Sequence, residues 1–196
     1  DYLANQAGFP APPRFSLISV HANGANVLED PKEGIRRVFT VLDTISSTTG
    51  YDDVCKQASV SMKDENGDIT CAIDSITQYF DYSLKNFNAQ VNAGVDVLQA
   101  ISQPAYPNGT PVQVKSILGN FQYSADSNNP IKVLTSAETF IMTINFPEID
   151  AAFDFEENML DNVLALQEQW VNEAGNPYRV EIFAERSFDD EFGREI

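Results

Sequence analysis

The chain has 196 residues and a mass of 21.7 kDa, enough to bury one sizeable core without requiring a second domain. Its 12 basic residues against 29 acidic ones give a net charge of −17. That makes it a poor partner for nucleic acid or anionic lipid, since both are held by cationic side chains. No apolar run reaches the roughly 18–20 residues of a membrane span, and the opening residues do not read as a signal peptide.

Residues 1–13 carry Gly8, Pro10, Pro12 and Pro13, which suit neither a helix nor a central strand and predict a linker or surface arm. The rest, 14–196, reads as one domain. It opens on a strand through Phe15-Ser16-Leu17-Ile18-Ser19-Val20, bent at Asn23-Gly24. Asp30 then caps a helix with Pro31 at its first position. Ile35, Val38, Phe39, Leu42 and Ile45 make one apolar stripe along it, and Gly50 is its expected stop.

Residues 51–116 differ in kind, being polar, with helical patterns from about Ile73 to Phe80 and from about Phe87 to Ile101. Lys63-Asp64-Glu65-Asn66-Gly67-Asp68 alternates oxygen side chains as a calcium loop does. Ile69 stands where that loop needs its glycine, so the run predicts an exposed turn. Cys55 and Cys71 flank it; a bridge between them would contribute about 3 kcal/mol, and two buried free thiols are the alternative. Pro104, Pro107, Gly109 and Pro111 mark an exposed loop holding Asn108, whose Asn-Gly-Thr is a glycosylation triplet. A bridge and a glycan together would place the chain in an oxidising extracellular or luminal compartment.

A short strand is expected over Leu118 to Ser124, followed by a polar turn from Asp126 to Pro130. Phe140, Met142, Ile144 and Phe146 then alternate with Ile141, Thr143 and Asn145 in a strand that Pro147 ends. Met159, Val163, Leu166 and Trp170 give a second helix that stops at Gly175, and Tyr178 to Phe183 a last strand. Ser187 before Asp189, Asp190 and Glu191 reads as the cap of a further helix, as though the domain were cut where something else begins. The order predicts an α+β fold, a ferredoxin-like βαββαβ open-faced sandwich with a helical insertion (51–116) between the first helix and second strand. Apolar residues on both faces of the third strand need cover on both, and the helices supply one. Phe140, Met142 and Ile144 are the candidates for the apolar sheet face awaiting a partner.

Chemistry finds little purchase. His21 is the single histidine, so no usual zinc site can be assembled around it, and no nucleophile elbow, phosphate loop or dinucleotide fingerprint occurs. Adjacent carboxylates such as Asp52 with Asp53 and Glu156 with Glu157 are expected by chance in so acidic a chain. No cofactor and no catalytic residue is predicted.

Several separated segments resemble the first extracellular or luminal domain of the Patched and Niemann-Pick C family of sterol-sensing-domain membrane proteins. Phe183-Ala184-Glu185-Arg186-Ser187-Phe188-Asp189-Asp190-Glu191-Phe192 is similar to the aromatic-Ala-Glu-Arg-Ser motif that precedes the second membrane helix there. Gln169-Trp170 stands where the family has Trp-Glu, with valine after the tryptophan. Asn26-Val27-Leu28, Tyr51-Asp52-Asp53-Val54-Cys55, Cys71 with Tyr79-Phe80, and Leu118-Gly119 resemble further segments in the same order, although Asn120 replaces a frequent second glycine.

The resemblance implies a ferredoxin-like core, a Cys55–Cys71 disulfide, and a second ectodomain of the same full-length protein as partner. It implies a non-enzymatic part in sterol or lipid transport through the ectodomain layer, with ion coupling in membrane helices of the complete resistance-nodulation-division type protein. The alternative is a receptor or scaffold module whose insertion binds a secreted protein ligand.

Overall fold

In β1 (Arg14–Ala22) alternate side chains are buried from Arg14 through Ser16, Ile18, Val20 and Ala22, while Phe15 and Leu17 point the other way and stay exposed. β8 (Thr139–Phe146) repeats that alternation, and β9 (Tyr178–Ala184) follows it closely. The computed structural model describes residues 14–24, 26–56, 62–63, 69–124, 132–147 and 149–184. The arm at 1–13, the turns expected at 64–68 and 126–130, and the motif beyond Ala184 with its Ser187 cap lie outside these.

The fold is α+β, centred on a five-stranded antiparallel sheet in which β9 pairs with β1 and β1 with β8. The far side of β8 is shared by two short pieces. β4 (Ala72–Asp74) pairs with residues 143–145, and β5 (Leu118–Gly119) with residues 139–140. Two further pairs stand apart from the sheet: β2 (Met62–Lys63) with β3 (Ile69–Thr70), and β6 (Gln122–Tyr123) with β7 (Leu134–Ser136).

The helices pack on one face. In α1 (Pro31–Ser46), Asp30 caps the first turn by accepting from the Glu33 amide, as its position before Pro31 predicts. Its stripe of Ile35, Val38, Phe39, Leu42 and Ile45 is buried. Gly34 lets this helix approach closely, since a Cβ there would sit 2.8 Å from both the Phe140 ring and the Val27 carbonyl oxygen. α6 (Asp150–Asn172) lies beside α1 and over β9, burying Phe155, Met159, Val163, Leu166 and Trp170.

The sequence-based elements need correcting in four places. The one strand expected over Leu118 to Ser124 is two, β5 in the main sheet and β6 outside it, with Asn120 at φ +47° between them. α1 stops at Ser46; Gly50, at φ +91°, instead turns the chain into a short α2 (Tyr51–Lys56). The helix expected from Ile73 is strand β4 followed by a 3-10 turn over Ile76–Phe80. Ser75 between them is extended, and its hydroxyl accepts from the Thr77 amide. Ile73, Ile76 and Phe80 mimic helical spacing because the strand and the turn each deliver a side chain to the same core. The second helical pattern is broken at Gly94, φ +78°, into α3 (Leu84–Asn92) and α4 (Val97–Ile101). The insertion is therefore partly sheet: β4 supplies an edge strand from within it.

Candidate functional site

The face of the sheet away from the helices is lined by alternate residues of β1, β8 and β9. Phe15 is 42% exposed, Leu17 36% and Phe183 45%, and Leu17 lies opposite Thr143 on one side and Phe183 on the other. Ser19 stands between Ile141 and Glu181, and His21 between Thr139 and Arg179. The face thus runs from apolar, where β1 begins, to polar, where it ends. Ser19, Ile141 and Thr143 in its middle are half-buried, and the residues named for it in the sequence are elsewhere. Phe140, Met142 and Ile144 are 1%, 2% and 0% exposed and belong to the helix-covered core. In β8 the inward phase is Phe140, Met142, Ile144 and Phe146 and the outward one Thr139, Ile141, Thr143 and Asn145, so the strand's own pattern already turned the named residues toward the core. The misleading strand is β1, where polar Arg14 and Ser16 fill the inward phase and Phe15 and Leu17 the outward one.

Those two inward polar groups are accounted for by Glu156 of α6, which is completely buried. Arg14 Nη2 donates to it at 2.7 Å and the Ser16 hydroxyl at 3.3 Å. The Arg14 guanidinium also lies 4.5 Å from the centre of the Phe153 ring.

At the polar end, His21 Nε2 is 2.8 Å from the Ser19 hydroxyl and 3.4 Å from Glu181. A cleft of about 620 Å³ opens there, between the end of β1, the β5–β6 corner, the turn into β8 and the start of β9. On the far flank Arg37 joins α1 to the end of α6 through Glu33 and a two-pronged contact with Glu173, at 2.9 and 3.1 Å. The Arg37 hydrogen bond holds the Glu173 carboxyl below its ordinary range. Whatever stability this exposed pair contributes is present at neutral pH and lost as pH falls through that lowered range.

Hydroxyls anchor the insertion to the sheet edge. Asp74 of β4 accepts from Tyr106 at 3.3 Å and from Ser116, which precedes Ile117 in α5 (Val114–Ile117). Tyr79 donates to the Gln103 carbonyl and Tyr82 to that of Ile73, each at 2.7 Å. Burial pushes all three phenols well up, so they remain protonated donors.

Cys55 and Cys71 form a disulfide and both are fully buried, tying α2 to the residue before β4. Replacing both with alanine is expected to lower stability by about 2–4 kcal/mol, read from urea unfolding; an unchanged midpoint would count against the tether's role. Asn108 is exposed in the turn expected for it, its side-chain oxygen accepting from the Thr110 amide at 2.9 Å.

Among the described residues, no group of three or more His, Cys, Asp or Glu could hold a metal ion, and no helix is long and apolar enough to cross a membrane. No family model matches the chain, and no curated protein matches it.

Proposed function

We propose that this chain is a non-enzymatic ectodomain of a multi-pass membrane protein of Patched or Niemann-Pick C type, on the extracellular or luminal side. Its open sheet face docks on a second ectodomain of the same protein and helps form an apolar path for a sterol or related lipid. The observation that carries this reading is the sheet face that bears no helix among the described residues and presents exposed Phe15 and Leu17, with half-buried Ile141 diagonal to Leu17. A sheet buried on one side only, with large apolar side chains on the other, has the character of an interface.

Three further features support it. With the β4/β5 edge counted as the second strand, the sheet order becomes fourth, first, third, second. Counted that way, the sheet supports a ferredoxin-like βαββαβ reading, although its second strand is made of two separate pieces. β1 begins and β9 ends at one pole, with Ser16 opposite Ala184, as suits a domain carried between two membrane spans. The disulfide suits an oxidising compartment.

Capture of the partner ectodomain tests this. Leu17→Asp is expected to weaken capture at least tenfold, because it places a charge at the centre of an apolar contact, about 1.4 kcal/mol or more. Undiminished capture by the folded variant would sink the proposal.

A further inference from the structure

The polar cleft at the end of β1 is a separate place from the apolar half of the open face, and its unspent hydrogen-bonding groups define a chemistry. Its wall is held firmly. Asn26 uses its side chain three times, donating to the Thr135 carbonyl and accepting from the Leu28 and Ala137 amides. Asn120 sits at φ +47°, in the left-handed region, and its amide donates to Glu138 at 2.6 Å. Asparagine takes up that conformation readily, and here it sets the amide against Glu138.

Among the described residues no cluster of His, Cys, Asp or Glu could hold a metal ion here, and the Glu138 carboxylate already accepts from Asn120; Glu181 lies 3.4 Å from His21 Nε2. An anion would meet those same two carboxylates on a chain of net charge −17. Arg179 spends Nη1 on the Tyr178 and Asn176 carbonyls, which leaves its other donors for the cleft. Asn23, Gln122 and Ser136 add groups that donate as well as accept. Such an even mixture suits the hydroxyl group, which both donates and accepts at one atom. The volume, about 620 Å³, accommodates several hydroxyls on one small molecule. We infer that this cleft binds a neutral polyhydroxyl ligand, a sugar or sugar-like group.

Amide NMR of the complete chain tests the assignment, using methyl glucoside and maltose as neutral probes, with glucosamine and glucuronate as charged counterparts. The neutral sugars are expected to shift the amides of Asn23, Asn120, Gln122, Glu138 and Arg179 with a Kd of about 1 mM. Binding should weaken about tenfold in Gln122→Ala and in Ser136→Ala, which remove two of the cleft's side-chain groups left free among the described residues. Absence of shifts, shifts centred on Leu17, or tighter binding of either charged sugar would overturn it. Because Leu17 reads the docking face and Asn120 this cleft, either proposal can fail alone.

Discussion

Met142→Asp is expected to unfold the domain, while Leu17→Asp leaves its stability within about 1 kcal/mol of the parent. Met142 is 2% exposed in β8, on the face covered by the helices, so a carboxylate there would be buried among apolar side chains with no cation provided for it. The cost is more than about 4 kcal/mol, against a total stability for a domain of roughly 5–15 kcal/mol. Leu17, by contrast, is in the outward phase of β1, 36% exposed, and a polar side chain there meets water. Urea unfolding followed by circular dichroism separates the two. Equal midpoints for the two variants would mean that the faces of the sheet had been assigned the wrong way round.

The second large effect concerns Arg14 and Glu156. Glu156→Ala should cost about 3–5 kcal/mol, because it strands the guanidinium inside the protein rather than because the ion pair itself contributes that much. For a domain of this size the fall in Tm is about 10 °C. The paired change Arg14→Met with Glu156→Leu removes both charges and is expected to recover most of the loss. Arg14 Nε has no hydrogen bond among the described residues, one more reason why an apolar pair suits the site energetically. If the double variant is as unstable as Glu156→Ala, packing around these side chains rather than the stranded charge sets the cost.

Much of the framework was legible from local signals. The Asp30-Pro31 cap, the Ile35 to Ile45 stripe and the Met159 to Trp170 stripe each state a period and a boundary within a few residues. The alternation over 139–146 was equally plain, with Phe140, Met142, Ile144 and Phe146 in one phase against Thr139, Thr143 and Asn145 in the other. The phase of β1 was not, because Phe15 and Leu17 share the outward phase with Ser19 and His21 while Arg14 and Ser16 share the inward one with Ile18 and Val20. The insertion misled for a related reason. Ile73, Ile76 and Phe80 share a core without sharing a helix, and nothing local to β4 announces that it will pair with Asn145, Ile144 and Thr143 some seventy residues on. The polar cleft was invisible because its wall is assembled from β1, β9, the β5–β6 corner and the turn before β8. His21, Asn23 and Asn120 were each noted for separate reasons, and with Arg179 they are ordinary polar residues until the sheet brings them together.

The proposed docking face is tested most directly by a photo-crosslinking side chain placed at Leu17 in the proposed multi-pass protein, with a second probe at Leu164, 46% exposed on α6, as its control. The account predicts a crosslink from position 17 to the other ectodomain and none from position 164. A crosslink from 164 with none from 17 would show that the partner sits on the helices, and that the open sheet is not the surface on which this domain works.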